Sequence, residues 1–313
     1  MVWMMVSVAV LAVFAAALWV TYRIAFYSPV GQQNDPYMVP GEAQYLQYYD
    51  ETCRLIDELK ARPCERVSIT SRDGLVLTGR YYHVADGAPL DIGFHGYRGT
   101  ALRDFCGGSC ISFAQGHNLL LVDQRAHGES EGKTITFGAK EQMDCLSWVH
   151  WANGRFGCPE IALFGVSMGA ATVLLAAALD LPDNVLCVVA DSPFSRAEDV
   201  IAEVGKRMHV PGAPVRLLAR GAARVFGGFR LKDAAPADAL RHARVPVLVL
   251  HGEADRLVPC EMSEILETNC AATVKRYTFP DAGHGLSYLV DRERYEKAVT
   301  DFLQQVRQER ERV

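Results

Sequence analysis

The sequence predicts one large α/β domain, built on a mostly parallel β-sheet with helices on both faces. Three observations carry that reading. Short apolar runs, of the length of buried strands, alternate with stretches of helical period from about residue 89 onward. Several of these runs end in glycine-containing loops, as at His95-Gly96-Tyr97-Arg98-Gly99 and His251-Gly252. Half of the 313 residues are hydrophobic, enough for a sizeable core.

Residues 2–20 carry no charge. At about 1.5 Å per residue they would span roughly 28 Å, close to the hydrocarbon thickness of a bilayer. Trp3, Trp19 and Tyr22 lie near the two ends, as in an aromatic belt, and Arg23 is the first charge. No basic stretch precedes the run, which is longer than a signal-peptide core. Residues 1–27 therefore read as a retained transmembrane anchor, and cleavage at Ala15-Ala16-Ala17 is the competing reading. Arg23 on the C-terminal side favours a single-pass cell-membrane protein with a cytoplasmic catalytic domain.

Residues 28–41 hold Pro29, Gly31, Pro36, Pro40 and Gly41 without periodicity and read as a linker. Residues 42–61 read as an amphipathic helix, so linker and helix occupy 28–64. The main domain is expected over 65–313. It opens with two strands joined at Asp73-Gly74, a hairpin signal. Strands are expected at 89–94, 119–122, 161–164, 185–190, 245–250 and 274–279, and helices at about 101–115, 138–153, 170–181 and 291–309. Residues 192–240 interrupt the alternation with four prolines and a Gly227-Gly228 pair, and read as a helical cap above the C-terminal sheet edge.

Net charge is −5, which argues against nucleic-acid binding. The nine cysteines are scattered, odd in number and without C-x-x-C spacing, so they read as reduced thiols rather than a disulfide framework. No His/Cys/carboxylate cluster has metal-ligand spacing, and no glycine-rich loop matches a phosphate cradle. No cofactor or metal is expected.

The stretch Ile161 to Ala171 carries the chemistry. An apolar strand meets Gly165-Val166-Ser167-Met168-Gly169, a G-x-S-x-G sequence, and a small-residue helix follows. Strand, sharp turn and helix make this a nucleophile elbow, with Ser167 at its tip. A serine hydroxyl needs a base, and that base needs an orienting acid. His284, between Gly283 and Gly285 after the last strand, is the candidate base, and Asp255, after the preceding strand, the candidate acid. Glu253 is the alternative acid, while Asp281 reads as a turn former. His95, His127 and His251 each precede a glycine at a strand end and read as structural. The backbone N–H groups of Met168 and Tyr97 are the candidate oxyanion hole.

Five motifs in this order resemble the α/β-hydrolases of the serine-aminopeptidase/lysophospholipase-like group, of membrane-anchored bacterial type. They are His95-Gly96-Tyr97, Asp123-x-Arg125-x-His127-Gly128-x-Ser130, Gly165-x-Ser167-x-Gly169, Gly252-x-x-Asp255-x-x-Val258-Pro259 and Gly283-His284. The resemblance covers about residues 65–308 and implies Ser167 as nucleophile, Asp255 as acid, His284 as base and Tyr97 with Met168 as oxyanion donors. It implies that Asp123 and Arg125 tie down their loop, and it leaves the substrate open among esters, thioesters, lipids and peptides.

Residues 192–232 hold eight Arg or Lys against three Asp or Glu, about +5, among interleaved apolar residues. Over a membrane-anchored serine nucleophile, that composition suggests a lipid-like acyl substrate whose anionic headgroup meets the arginines; the competing reading is a solvated basic face beside a hydrophobic cap core. The first functional reading is thus an ester or thioester hydrolase acting on a small-molecule or lipid-like acyl substrate. The rivals are a peptidase or aminopeptidase of the same fold and a binding protein on an inactive hydrolase fold.

Overall fold

The structure, a computed structural model, describes residues 1–29 and 35–312. Three helices precede the sheet: α1 (Val2–Ala25), α2 (Ala43–Leu46) and α3 (Tyr49–Ala61). Strands β1 (Glu65–Thr70), β2 (Val76–Tyr82), β3 (Leu90–Phe94), β4 (Asn118–Val122), β5 (Ile161–Val166), β6 (Val185–Asp191), β7 (Val247–Gly252) and β8 (Val274–Phe279) form one sheet, ordered β1-β2-β4-β3-β5-β6-β7-β8. β2 pairs antiparallel with β1 and β4, and every pairing from β4 to β8 is parallel. Between and after the strands lie α4 (Ala101–Asp104), α5 (Gly108–Ala114), α6 (Glu141–Phe156), α7 (Met168–Ala176), α8 (Ala197–Arg207), α9 (Gly212–Val225), α10 (Pro236–Ala239), α11 (Glu261–Asn269), α12 (Ser287–Val290) and α13 (Arg292–Glu311). This is the α/β-hydrolase fold class that the motifs imply.

Period-2 alternation sorts the strand side chains into two cores. Ile92, Leu163, Val188 and Val249 face one layer, where they meet Trp148 and Val149 of α6 and Val173 and Leu174 of α7. Ala162, Cys187, Val189 and Leu250 face the other, against Leu55 and Ile56 of α3 and Phe302 and Leu303 of α13. The central strands are buried on both faces and are continuous apolar runs for that reason. After β3 the chain pairs β4 on one side and β5 on the other, so the loops following β3 and β5 meet at the C-terminal edge. That switch point is where open α/β sheets hold their ligands.

Two expected helices are each broken in two. Residues 42–61 form α2 and α3, and residues 101–115 form α4 and α5. The second break falls at Gly107, which lies against the Tyr288 ring: a Cβ there would sit 2.3 Å from its Cδ1. All nine thiols are free.

The apolar helix α1 is long enough to cross a membrane, and its first fifteen residues, 2–16, are exposed. One face of its last two turns, with Phe26 just after them, packs into the core. Leu18, Tyr22 and Phe26 are buried, and Phe26 sits edge-on against Phe137 and Phe229. Leu18 lies on Gly221 of α9, where a Cβ would come within 2.7 Å of its Cδ2.

Candidate active site

The elbow between β5 and α7 is tighter than any ordinary turn. Ser167 has φ 55° and ψ −113°, a strained conformation for a residue with a side chain. Its N–H donates to the Asp191 carbonyl at 2.8 Å, which ties the turn to β6. A Cβ on Gly165 would lie 2.3 Å from the Gly169 carbonyl oxygen, and one on Gly169 would lie 1.8 Å from the Phe94 carbonyl oxygen. Both glycines are thus fixed by backbone that cannot move aside. Gly169→Ala is expected to destabilise the protein by about 3 kcal/mol or more, as urea unfolding would measure, because strand β3 must shift to admit one methyl group.

Ser167, His284 and Asp255, on three different loops, converge. His284 Nε2 lies 2.8 Å from Ser167 Oγ, and its Nδ1 lies 2.7 Å from Asp255 Oδ2. Asp255 Oδ1 accepts from the Leu257 and Val258 N–H groups, both at 2.8 Å, which fixes the carboxylate plane. Desolvation of Asp255 is outweighed by the His284 charge and by the donors around it, so its carboxyl is held well below the usual range. Burial would lower the His284 value, but the charge and hydrogen bond of Asp255, with Asp191 and Asp104 farther off, raise it overall. Glu253 instead accepts from Thr278 Oγ1 at the surface, and Asp281 occupies a left-handed turn position.

These shifts set a pH dependence. A base must be neutral to take a proton, so activity should fall on the acid side with an apparent pKa above the ordinary histidine value of about 6.5. The sign for stability is opposite. The fold binds protonated His284 more tightly than the unfolded chain does, so that contribution is complete below the unfolded value and is lost as pH rises through the folded one. A kcat/KM profile and a stability profile over the same pH range check both.

Among the described residues, the Tyr97 and Met168 N–H groups make no hydrogen bond; Met168 opens α7 directly after Ser167, and Tyr97 lines the same cavity as Ser167. The loop bearing Tyr97 is held from several sides. His95 Nδ1 donates to the Gly96 carbonyl at 2.8 Å while its Nε2 accepts from the Gln124 N–H. His127 Nδ1 donates to the Arg125 carbonyl at 2.9 Å while its Nε2 accepts from the Arg98 N–H at 3.0 Å. Burial, together with His95, pushes His127 down to about 3, as a neutral loop-holding imidazole requires. Arg125 is buried in a bidentate pair with Asp144 and also reaches Asp73, and Asp123 pairs with Arg80. His251 Nε2 donates to the Val258 carbonyl at 2.9 Å and steadies the acid loop.

Sequence reasoning missed what covers the site. A cavity of about 250 Å³ opens at Ser167 and runs between α5 and the α12 region, lined by Phe105, Ile111, Phe164, Leu286 and Tyr288. Its roof comes from the N-terminal segment, through Val39, Pro40 and Tyr45, and not from residues 192–240. Tyr45 Oη donates to the His284 carbonyl at 3.1 Å, and Arg103 Nη1 donates to the Met38 carbonyl at 2.8 Å. The cap does not line the cavity, and most of its charge is already partnered. Arg196 pairs with Asp238, Arg216 with Asp199, Arg220 with Glu198, Lys206 with Glu203 and Arg230 with Asp233.

The comparisons agree with this architecture. A family profile described as alpha/beta hydrolase fold matches residues 92–211. The uncharacterized protein Rv2307c of Mycobacterium tuberculosis is 31% identical over 232 residues, which cover 72% of this chain and 74% of that protein. The chain belongs to the α/β-hydrolase family. The uncharacterized protein YqkD of Bacillus subtilis is 30% identical over 190 residues, and the match spans 62% of YqkD and 60% of this chain. Among solved structures, the esterase Pf2001 of Pyrococcus furiosus superposes with a TM-score of 0.65 at 24% identity, over 80% of this chain and 93% of that one. Est1E of Butyrivibrio proteoclasticus superposes with a TM-score of 0.58 at 22% identity, over 77% and 98%. At those identities the likeness shows the fold.

Proposed function

We propose that this α/β-hydrolase is a membrane-anchored serine hydrolase that cleaves an ester or thioester through an acyl-enzyme. One observation carries the reading: a single imidazole, His284, bridges Ser167 Oγ at 2.8 Å and Asp255 Oδ2 at 2.7 Å, with the serine at the strained tip of an elbow. His284 takes the Ser167 proton as Oγ attacks the substrate carbonyl carbon, and Asp255 stabilises the imidazolium. The Tyr97 and Met168 N–H groups receive the developing oxyanion. His284 returns the proton to the leaving oxygen or sulfur. Water, deprotonated by the same imidazole, then releases the acid. No step calls for a cofactor or metal.

The cavity supports an acyl substrate, because its walls are largely apolar and aromatic. An aminopeptidase reading would need an acidic or carbonyl-rich pocket for the substrate amine. Asp104 in the cavity wall is already engaged by Arg103 and the Gly96 N–H. The length and apolar surface of α1 support a retained anchor, and its last turns, built into the core, support retention over cleavage. Arg23, after the apolar run, favours a cytoplasmic domain.

The test is a series of p-nitrophenyl esters from acetyl to decanoyl, run beside aminoacyl anilides on full-length protein. Esters should dominate in kcat/KM, and Ile111→Trp should move the optimum toward shorter chains, with about a tenfold or greater loss for the longest. Equal loss for every ester, or preference for the anilides, would contradict the assignment.

A further inference from the structure

The cap, freed from lining the cavity, presents a surface of its own. Helices α8 and α9 pack as a hairpin, with Gly205 set against Val215. At its tip, Lys206 to Pro211 are all exposed, and so are Ala213, Pro214 and Leu217 of α9. Met208 is 64% exposed and Leu217 62%, in an otherwise well-packed domain. Arg207 at the tip, and Arg224 near the other end of α9 at about the level of the Leu18 contact, are exposed and have no ion-pair partner among the described residues. Exposed apolar side chains at a tip with an unpaired cation next to them make an unusual solvent surface.

The placement of α1 says what meets it. Leu18 lies on Gly221, and Trp19 and Tyr22 lie on Phe226, so α1 and α9 run in the same sense along their contact. The N-terminal end of α9, with the hairpin tip, therefore projects to the same side of that contact as the exposed apolar residues 2–16 of α1. Gly212 precedes Gly221 by nine residues, so the tip reaches about 13 Å beyond the Leu18 contact if measured along α9. On the anchor reading a bilayer holding residues 2–20 has its near surface at the level of Trp19 and Tyr22, so the tip, which reaches no farther than about the level of residue 9, enters it from that side.

We propose that the α8–α9 hairpin is a second membrane contact, with Met208, Val210 and Leu217 sunk into the headgroup–acyl boundary and Arg207 and Arg224 against anionic headgroups. The inference depends on the anchor reading above. It needs no new segment or movement: the anchor and the hairpin already touch through the Leu18–Gly221 and Tyr22–Phe226 contacts. Interfacial elements of this kind bury their apolar side chains about 5–10 Å deep and hold anionic lipid through Arg and Lys. The carbonyls of Ile24 and Ala25 accept from Tyr97 Oη, and Arg98 Nη2 donates to the Ile24 carbonyl at 2.8 Å. The two-point contact would therefore fix the oxyanion loop relative to the lipid surface.

The experiment places a tryptophan at the tip of the full chain, Met208→Trp, and a control at a remote exposed site, Asp86→Trp. Each variant is reconstituted in nanodiscs of phosphatidylcholine and phosphatidylglycerol, with or without dibrominated chains. The emission added by each substitution is obtained by subtracting that of the parent protein. The inference expects brominated lipid to remove about half or more of the added emission at position 208 and none at 86. It also expects the quenching at 208 to weaken when phosphatidylglycerol is omitted or when Arg207 and Arg224 are both replaced by glutamate. An unquenched Trp at 208 alongside quenched native Trp3 would overturn the hairpin contact and leave the anchor standing. Unquenched Trp3 would overturn both. Ester hydrolysis enters none of these readouts, so the assignment of Ser167 is tested separately.

Discussion

Asp255→Asn is expected to lower kcat/KM for ester cleavage by about 10⁴-fold with little change in stability. The asparagine Oδ1 can still accept from the Leu257 and Val258 N–H groups, so the loop keeps its shape. Its amide NH₂ then faces His284 Nδ1, which must act as acceptor. The imidazole proton moves to Nε2, and a protonated Nε2 cannot take the proton of Ser167. The charge that raises the His284 value is lost as well, so whatever activity remains should show an acid limb at lower pH than the parent. Steady-state kinetics across pH, with urea unfolding in parallel, check both. A tenfold loss or less would mean that another group orients the base.

Phe26→Ala is expected to destabilise the protein by about 3–5 kcal/mol, as much as a deep core position. The ring is fully buried, edge-on to Phe137 and Phe229, and the backbone around it is paired: the Ile135 N–H donates to the Phe26 carbonyl at 2.8 Å. A soluble fragment cut at Pro29 would lose Leu18, Tyr22 and Phe26 together and expose the groove that holds them. It should unfold or aggregate where the full chain does not. Activity should suffer beyond stability, because Tyr97 and Arg98 lose the carbonyl partners they find at the end of α1. Val10→Ala, in the exposed half of the same helix, should leave domain stability unchanged. Urea unfolding of the variants in detergent, with single-chain ester kinetics under native conditions, measures each effect.

The contrast between these two regions explains what the sequence could tell. Gly165 and Gly169 were legible because the clash each avoids lies within the strand–turn–helix unit or one strand away, so the spacing itself states the constraint. Asp255 and His284 were legible because each follows a strand directly and sits among loop-forming residues. The roof of the cavity was not legible. Tyr45 meets His284 across 239 positions of sequence, and a tyrosine on a short amphipathic helix has the same pattern whether it covers a core or a catalytic loop. The burial of Leu18, Tyr22 and Phe26 was hidden for a related reason: a helix apolar on all sides carries no periodic signal for the face that packs. The pairing of the cap's charge was not legible either, because pairing is a matter of folding. Asp238, which lies outside the counted stretch, is the partner of Arg196, and Glu198 and Asp199 are taken up by Arg220 and Arg216 from the next helix.

The central claim is that Ser167 is an activated nucleophile. The most direct measurement is reaction of the full-length protein with a fluorophosphonate, followed by intact mass and peptide mapping. The account predicts one adduct per chain, on Ser167, lost in Ser167→Ala and slowed strongly in His284→Ala. An adduct that persists in a folded Ser167→Ala protein, or a folded parent that takes none, would contradict it.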